Sequence, residues 1–379
     1  IDRHGYVDLK LDHEFENETR FLARAYYDRY ENDGRYLTDY PPVTMNRDVS
    51  RGDRVGTELQ LTRKFFDRHT LNAGMEFRDG RRRSQRNFDE TPFVSNLDTN
   101  TPSHDVGVYL QGEFELVPGL LLNAGGRYDY TQNYGNNLSP RAGLIWSPRA
   151  GSNVKLLYGE AFRCPNAYEQ FYNDGGFSQL ASLPLRPETI RTYELALEQR
   201  LNEHLSLNTS GFLYRINDLI SQVETAPASG ITTFRNVQQV ESKGLGLELT
   251  GQWPGGLHGR ASYQLSRSED LSGNMPLSNS PRHQAKLNLA VPLLREKIFA
   301  GLELQYTASR GTLVGTKVGD FWLANATLFS RQLVKDVELS ASVYNLFNQR
   351  YADPASGNFL QDAIQQDGRS FRVKLTYRF

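Results

Sequence analysis

The sequence predicts an all-β fold: a transmembrane antiparallel β-barrel, of which about 17 strands are present. Three observations lead to this prediction. Apolar and polar residues alternate through most of the chain, and short turn-like connections alternate with long polar ones. Aromatic residues are abundant (20 Tyr, 20 Phe and 3 Trp), although the mean hydropathy is only −0.58. Tilted strands of about ten residues cross a bilayer with one face toward lipid and one toward water.

The apolar residues recur at every second position, as they do in strands, whose successive side chains point to opposite faces. The final strand is typical, because Phe371, Val373, Leu375, Tyr377 and Phe379 alternate with polar residues. We expect such rows to face lipid. The other rows are Val7/Leu9/Leu11, Leu71/Ala73/Met75/Phe77, Val106/Val108/Leu110, Leu245/Leu247/Leu249, Ala285/Leu287/Leu289/Val291, Leu302/Leu304/Tyr306 and Val337/Leu339/Ala341/Val343.

The connections between the predicted strands fall into two groups that alternate along the chain. A transmembrane barrel has this alternation, because its turns are short on one side of the membrane and its loops are long on the other. Turn residues make up the short connections, at 17–19, 67–69, 117–120, 149–152, 202–204, 254–257, 295–297 and 334–336. The long, polar connections are at 80–104, 166–186, 222–236, 267–283 and 351–368.

A soluble β-propeller is the alternative fold, since its blades recur at a similar interval of about 40–50 residues. A blade, however, places four short strands in that interval, where this chain has two long ones. One stretch fits the barrel poorly. Leu205 and Leu207 follow one parity, whereas Phe212, Tyr214 and Ile216 follow the other. This change predicts a β-bulge or a strand that rises above the membrane.

The composition excludes several classes of protein. The net charge is −1 and both signs are mixed along the chain, so no basic face for nucleic acid is predicted. Cys164 is the only cysteine, which excludes an internal disulfide or a CxxC metal site, and we interpret it as a small buried filler. No apolar run approaches the roughly 18 residues of a transmembrane helix.

The direction of the strands predicts that the sequence begins partway round a larger barrel. If the last strand ends on the periplasmic side, counting back makes the first strand run the same way, so the number of strands is odd. Closed bacterial barrels have an even number. We therefore expect the missing part to be N-terminal.

Several motifs resemble the C-terminal barrel of TonB-dependent outer-membrane receptors. They are LSPRAGLIWSP (138–148), YGEAFRCPNAYEQFY (158–172), LRPETIRTYELALEQRL (185–201), NVQQVESKGLGLEL (236–249), SVYNLFNQRYADP (342–354) and the terminal SFRVKLTYRF. The similarity is densest from residue 138 to the end. Its most specific part is NLFNQRY, one loop before a terminal aromatic strand.

The resemblance implies that residues 1–379 are part of a barrel of about 22 strands, whose N-terminal plug and first strands are missing. It implies an integral protein of the outer membrane of a Gram-negative bacterium. The implied function is active uptake of a scarce nutrient: a ferric siderophore first, then cobalamin or another metal complex. The implied partners are the TonB–ExbB–ExbD complex acting through the missing plug, the barrel-assembly machinery, outer-membrane lipid and lipopolysaccharide, and a small metal-chelate ligand.

Two other functions stay open at the level of sequence. One is a passive porin-like channel, because nothing in the sequence resembles the plug or its TonB-binding motif. The other is a truncated barrel fragment that neither folds nor transports alone.

An enzyme is not predicted. The chain has no HExxH, P-loop or GxSxG motif, and its seven histidines are scattered. Candidate rim pairs, His104 with Asp105 and His283 with nearby serines, lack an orienting partner and an oxyanion site. No cofactor or metal site is predicted.

Ligand-binding residues are predicted in the outer loops. One group is Arg81, Arg82, Arg83 and Arg86, which suit an anionic ligand because guanidinium forks match carboxylate and phosphate. Contact with lipopolysaccharide phosphates, or plain solvated charge, is the alternative.

A second group of predicted ligand contacts is aromatic and comprises Tyr168, Phe171, Tyr172 and Phe177. These rings suit the face of a siderophore or a corrin. The alternative is that they belong to the upper aromatic girdle.

The end of the chain carries the last predicted site. The resemblance implies that Phe379, with Tyr377, is an assembly signal read by the barrel-assembly machinery. A lipid-interface anchor alone is the alternative.

Overall fold

A computed structural model describes residues 1–16, 18–39, 43–226, 229–237, 239–273, 275–294, 297–357 and 359–378, with the backbone alone for 331–334. Nearly all of its regular structure is β. The elements are β1 (Asp2–Glu14), β2 (Thr19–Thr38), β3 (Thr44–Phe65), β4 (His69–Glu90), β5 (Phe93–Asn100), β6 (Ser103–Val117), β7 (Leu120–Thr131), β8 (Gly135–Arg149), β9 (Ser152–Arg163), α1 (Ala167–Phe171), β10 (Glu188–Arg200), β11 (Leu205–Asn217), β12 (Ile220–Glu224), β13 (Thr232–Asn236), β14 (Val240–Gln252), β15 (His258–Asp270), β16 (Met275–Pro276), β17 (His283–Leu294), β18 (Ile298–Thr307), β19 (Arg310–Gly311), β20 (Lys317–Val318), β21 (Phe321–Val334), β22 (Val337–Tyr344), β23 (Ala352–Pro354), β24 (Ala363–Gln365) and β25 (Ser370–Tyr377).

In the described part of the chain, 19 of these strands form one sheet. Two of them, β5 and β16, are short strands that pair with the C-terminal ends of β4 and β15. The others are the long strands that the sequence predicts, and consecutive long strands pair antiparallel, as in β2 with β3 and β14 with β15. The all-β antiparallel fold is confirmed.

Large apolar side chains lie on the outside of the sheet. Leu110, Leu195 and Leu247 are 54%, 56% and 47% exposed. A soluble protein of this size would bury such rows, because each buried leucine contributes about 1.5–3 kcal/mol to folding. The propeller alternative is therefore wrong, and these faces are suited to lipid.

The chain divides into two compact units. The first comprises residues 1–144, 157–191 and 216–239, and its strands β2, β3 and β4 are 20 to 22 residues long. They exceed the roughly ten residues needed to cross a bilayer. The predicted loop at 80–104 is wrong, because β4 continues to Glu90 and β5 returns along it. This segment has polar residues on both faces, a pattern that predicts a loop from sequence. The same pattern suits a β-hairpin that is exposed to water on both faces.

The second unit comprises residues 145–156, 192–215 and 240–379. The parity change in its strand β11 places two aromatic rings on the polar face of the sheet. Phe212 and Tyr214 stack with ring centroids 4.7 Å apart, and the Tyr214 hydroxyl donates to Glu194 Oε1 at 2.7 Å. Both rings therefore lie on the polar face of the sheet. A Cβ on Gly244 would lie 2.7 Å from Phe212 Cζ, so the glycine of β14 makes room for the ring.

The short connections lie where the sequence predicts them. The strand bounds agree with the predicted connections from β1–β2 to β21–β22, although residues 17, 295 and 296 of these connections lie outside the described residues. Gly119 and Gly151 both have φ of 81°, and Asp336 has φ of 60°. This left-handed conformation favours Gly, and Asp and Asn after it, which explains why these residues marked the turns.

Candidate ligand-binding site

The candidate site includes the one-turn helix α1, which lies in the connection between β9 and β10. Asn166 and Glu169 form a capping box around α1: Asn166 Oδ1 accepts from the Glu169 N–H at 2.9 Å, and Glu169 Oε2 accepts from the Asn166 N–H at 2.8 Å. Arg163 at the end of β9 donates to the same Glu169 oxygen at 2.8 Å. These contacts fix the direction in which α1 presents its aromatic residues.

The α1 aromatics pack against one another. The ring centroids of Tyr168 and Tyr172 are 4.5 Å apart, and Tyr168 meets Phe234 of β13 edge-on at 5.9 Å. The Tyr168 hydroxyl donates to Gln179 Oε1 at 2.9 Å. Two of the predicted rings are thereby held in one stack.

Through Tyr172, the stacked tyrosines contact a buried polar cluster in the β3–β4 hairpin. Asn87 is completely buried, and its Nδ2 donates to Asn46 Oδ1 at 2.8 Å and to Asp48 Oδ1 at 2.7 Å. Asn46 in turn donates to Asp89 Oδ1 at 2.9 Å. The Tyr172 hydroxyl donates to Asp48 Oδ2 at 2.9 Å. The helix is thus attached to the strands by a charge-assisted hydrogen bond.

A cavity of about 270 Å³ lies beside this attachment. Two of the four predicted aromatic residues, Tyr172 and Phe177, line the cavity. Tyr168 packs against Tyr172 but does not line the cavity, and neither does Phe171. Sequence reasoning missed the rest of the lining, since no local pattern distinguishes those residues. The complete lining is Tyr36, Thr38, Asn46, Asp48, Tyr172, Asp174, Phe177 and Ser178.

The pKa values of two tyrosine hydroxyls at the site, those of Tyr168 and Tyr172, are raised. Burial, followed by the charge of Asp48, raises the pKa of Tyr172 above its ordinary value. Burial first and Asp48 second likewise raise the pKa of Tyr168. Cys164 is only partly buried and not fully buried as predicted, and burial raises the pKa of its thiol, which disfavours a role as nucleophile.

The predicted arginines lie in β4, on two different faces. In the pairing of β3 with β4, Arg82 lies opposite Asp53 and Arg86 lies opposite Val49. Both partners are odd-numbered residues of β3, as is the exposed Leu61, so they lie on the same face of that strand as Leu61. Cross-strand partners share a face, so Arg82 and Arg86 lie on the outer face. Arg83 lies on the opposite face. The four arginines therefore do not form one cluster.

Two of these arginines have acidic partners. Arg81 Nε lies 3.1 Å from Asp79 Oδ2, and Arg86 Nε lies 3.3 Å from Asp98 Oδ2. The side chains stay largely exposed, so these pairs stabilise the hairpin only weakly.

At the other end of the chain, Tyr377 pairs with Val337 and is 63% exposed. Phe379 lies outside the described residues. The assembly signal stays a prediction.

The two histidines considered for rim pairs make other contacts in the structure. His104 Nδ1 lies 3.1 Å from Asp79 Oδ1, and His283 Nδ1 lies 2.7 Å from the Tyr263 hydroxyl. Neither contact is the rim pair considered from sequence. In the described part of the chain, no group of three His, Cys, Asp or Glu side chains is arranged to hold a metal ion. None of the helices described is long and apolar enough to cross a membrane.

An antiparallel sheet with apolar rows outside and polar residues on the other face defines an outer-membrane β-barrel. The comparison with solved structures agrees. A variant of the ferric enterobactin receptor of Pseudomonas aeruginosa superposes with a TM-score of 0.77 at 16% identity, over 100% of this chain and 62% of that protein. This likeness shows the fold.

The chain belongs to the family described as "TonB dependent receptor-like, beta-barrel", whose sequence profile matches residues 2–346. Among curated relatives, an iron-regulated outer membrane virulence protein of Vibrio cholerae is 25% identical over 334 residues, covering 82% of this chain and 49% of the relative. The vitamin B12 transporter BtuB of the same species is 26% identical over 400 residues, covering 92% and 62%. The chain thus spans about half to three-fifths of the length of these relatives. It is an integral outer-membrane protein.

Proposed function

We propose that this chain forms the membrane wall and ligand-capturing surface of a receptor for TonB-dependent active uptake of a scarce nutrient. A ferric siderophore is the first candidate, and cobalamin or another metal complex is next. The observation that carries the proposal is the aromatic cavity at the side of the long connections, in a chain of this family. The names of the relatives include both iron-regulated and vitamin B12 proteins, which supports a metal chelate as cargo.

The proposed ligand contacts follow from the faces on which the side chains lie. Tyr172 and Phe177 would contact the ligand directly, with Tyr168 and Phe171 behind them. Arg83 lies on the same face of the hairpin as the cavity residues and would attract an anionic chelate from there.

The arginines of the outer face have a different proposed role. Arg82 and Arg86, with Arg81, are suited to lipopolysaccharide phosphates, because this face continues the lipid-facing row. They would anchor the hairpin at the membrane surface.

The proposed partners act on other parts of the molecule. A TonB–ExbB–ExbD complex would supply energy through a plug, and the barrel-assembly machinery would read Phe379 and Tyr377. The family is one of receptors, and we propose no catalytic activity.

Uptake of radiolabelled ferric siderophores tests the proposal. The gene is expressed in cells that lack their own siderophore receptors, with and without TonB. We expect uptake that requires TonB and stops when a protonophore collapses the proton gradient. Uptake that is unchanged without TonB would favour the passive channel, and the absence of any uptake would favour the fragment.

A pair of variants tests the roles of the two faces. Arg83→Ala should weaken binding of an anionic chelate several-fold, whereas Arg86→Ala should leave it unchanged. An equal effect of the two substitutions would contradict the assignment of the faces.

A further inference from the structure

Among the described residues, no cationic side chain lines the cavity beside α1. Its lining combines two carboxylates, Asp48 and Asp174, with the rings of Tyr36, Tyr172 and Phe177. The nearest arginine in sequence, Arg47, alternates to the other face of β3 and pairs there with Asp33 at 2.7 Å. The cavity is therefore acidic and aromatic, unlike the arginine-rich outer surface.

Both carboxylates are held by neutral donors. Asp48 accepts from the Asn87 amide at 2.7 Å and from the Tyr172 hydroxyl at 2.9 Å. Asp174, which is 9% exposed, accepts from the backbone N–H groups of Ser178 and Gln179 at about 3.0 Å. Among the described residues, neither carboxylate has a Lys, Arg or His nitrogen within ion-pair distance.

Asp174 is buried and Asp48 is partly buried, and the two carboxylates line the same cavity without a cationic partner among the described residues. Asp89, which is buried and bonded to Asn46, adds a third carboxylate to the polar cluster beside the cavity. A cationic ligand group would supply the counter-charge that these carboxylates lack. The aromatic rings favour the same occupant, since a cation over a ring face gains about 0.5–2 kcal/mol.

The size of the cavity limits what fits. Its volume of about 270 Å³ lies just below the range of whole small-molecule sites. It suits one arm of a larger ligand. A bare metal ion is a poor occupant, since the described residues offer no group of three ligating side chains.

We propose that this cavity binds a protonated amine carried by the ligand, with Asp48 and Asp174 as its counter-charges and Tyr36, Tyr172 and Phe177 as its walls. The inference rests on the proposed uptake function, because it assigns the amine to the transported chelate. It makes the receptor selective for chelates that bear a basic arm over chelates that are anionic throughout.

Binding of a matched pair of probes tests the inference. The protein is purified from outer membranes in detergent, and binding of 1,5-diaminopentane and of uncharged 1,5-pentanediol is measured by saturation-transfer NMR at pH 7. We expect the diamine to bind at least tenfold more tightly. Asp48→Asn and Asp174→Asn should each reduce this preference, and the double variant should remove it.

Asp98→Asn is the matched control, because Asp98 lies on the neighbouring strand β5 and pairs with Arg86 on the outer face. It should leave the preference intact, and heat-modifiable mobility on gels shows that each variant is folded. Equal affinities for the two probes would overturn the inference, as would a preference that survives in the double variant or tighter binding of a divalent metal ion. The assay needs no transport, so its failure would leave the uptake proposal standing, and loss of uptake would not alter the probe result.

Discussion

Tyr172 donates a 2.9 Å hydrogen bond to Asp48, although 124 residues separate the two in the sequence. One is the residue that ends α1, and the other lies in β3. The bond joins the connection after β9 to the extended β3–β4 hairpin. It places the aromatic residues of α1 over the buried polar cluster, and so creates the cavity wall.

Tyr172→Phe should loosen α1 while leaving the sheet intact. A hydrogen bond to a charged acceptor contributes about 1.5–3 kcal/mol, so amide exchange across residues 167–172 should become at least about tenfold faster. Hydrogen-exchange mass spectrometry measures this change. Tyr128→Phe is the control, because the Tyr128 hydroxyl bonds to Asn136 elsewhere. Unchanged exchange in the Tyr172 variant would contradict the role of this bond.

High pH should release the same connection. When α1 is undocked, Tyr172 ionises near the ordinary value of 10.0, whereas docking raises its pKa. The docked state therefore favours the protonated hydroxyl, so docking is fully stable below pH 10 and weakens as the pH rises above it. Exchange of residues 167–172 followed from pH 8 to 11, after correction for intrinsic exchange, should show this loss. Because Tyr168 shifts in the same direction, only the double Phe variant should lose the dependence.

A charge on the outer face should be costly, whereas one on the polar face should be tolerated. Leu110 and Gln111 are neighbours on β6, and Leu110 belongs to the exposed apolar row. Leu110→Arg should destabilise the protein by about 2–4 kcal/mol, because arginine near the bilayer midplane is poorly solvated. Gln111→Arg should cost less than about 1 kcal/mol. Urea unfolding in lipid vesicles measures both, and equal costs would contradict the assignment of the faces.

Replacement of a glycine that lies against a tyrosine ring should destabilise the protein. Gly74 pairs with Tyr109 across β4 and β6, and a Cβ at Gly74 would lie 2.4 Å from Tyr109 Cζ. Gly74→Val should therefore cost about 1–3 kcal/mol through overpacking. Gly126→Val is the matched control, since a Cβ there meets nothing within 4 Å. The midpoint of heat-modifiable gel mobility should fall for the first variant only. A similar fall for both would indicate a general effect of valine.

The sequence alone was sufficient to predict the membrane-spanning strands and the short turns between them. Rows such as Leu245, Leu247 and Leu249, and turns such as that at Gly119, follow from local rules: a period of two and a left-handed backbone conformation. These signals also favoured the barrel over the soluble alternative, which the exposed leucine rows of the structure then excluded. The sequence failed at 80–104, because a polar hairpin standing in water has no apolar face to reveal it.

The candidate site depended on tertiary structure. The sequence predicted Tyr172 and Phe177 as aromatic loop residues, but not Asp48, which resembles many other charged residues along β3. It also grouped Arg82, Arg83 and Arg86, which the strand then divides between two faces. Local composition determines which face of a strand meets lipid, whereas the contact between α1 and β3 arises only when the register of the sheet brings distant segments together.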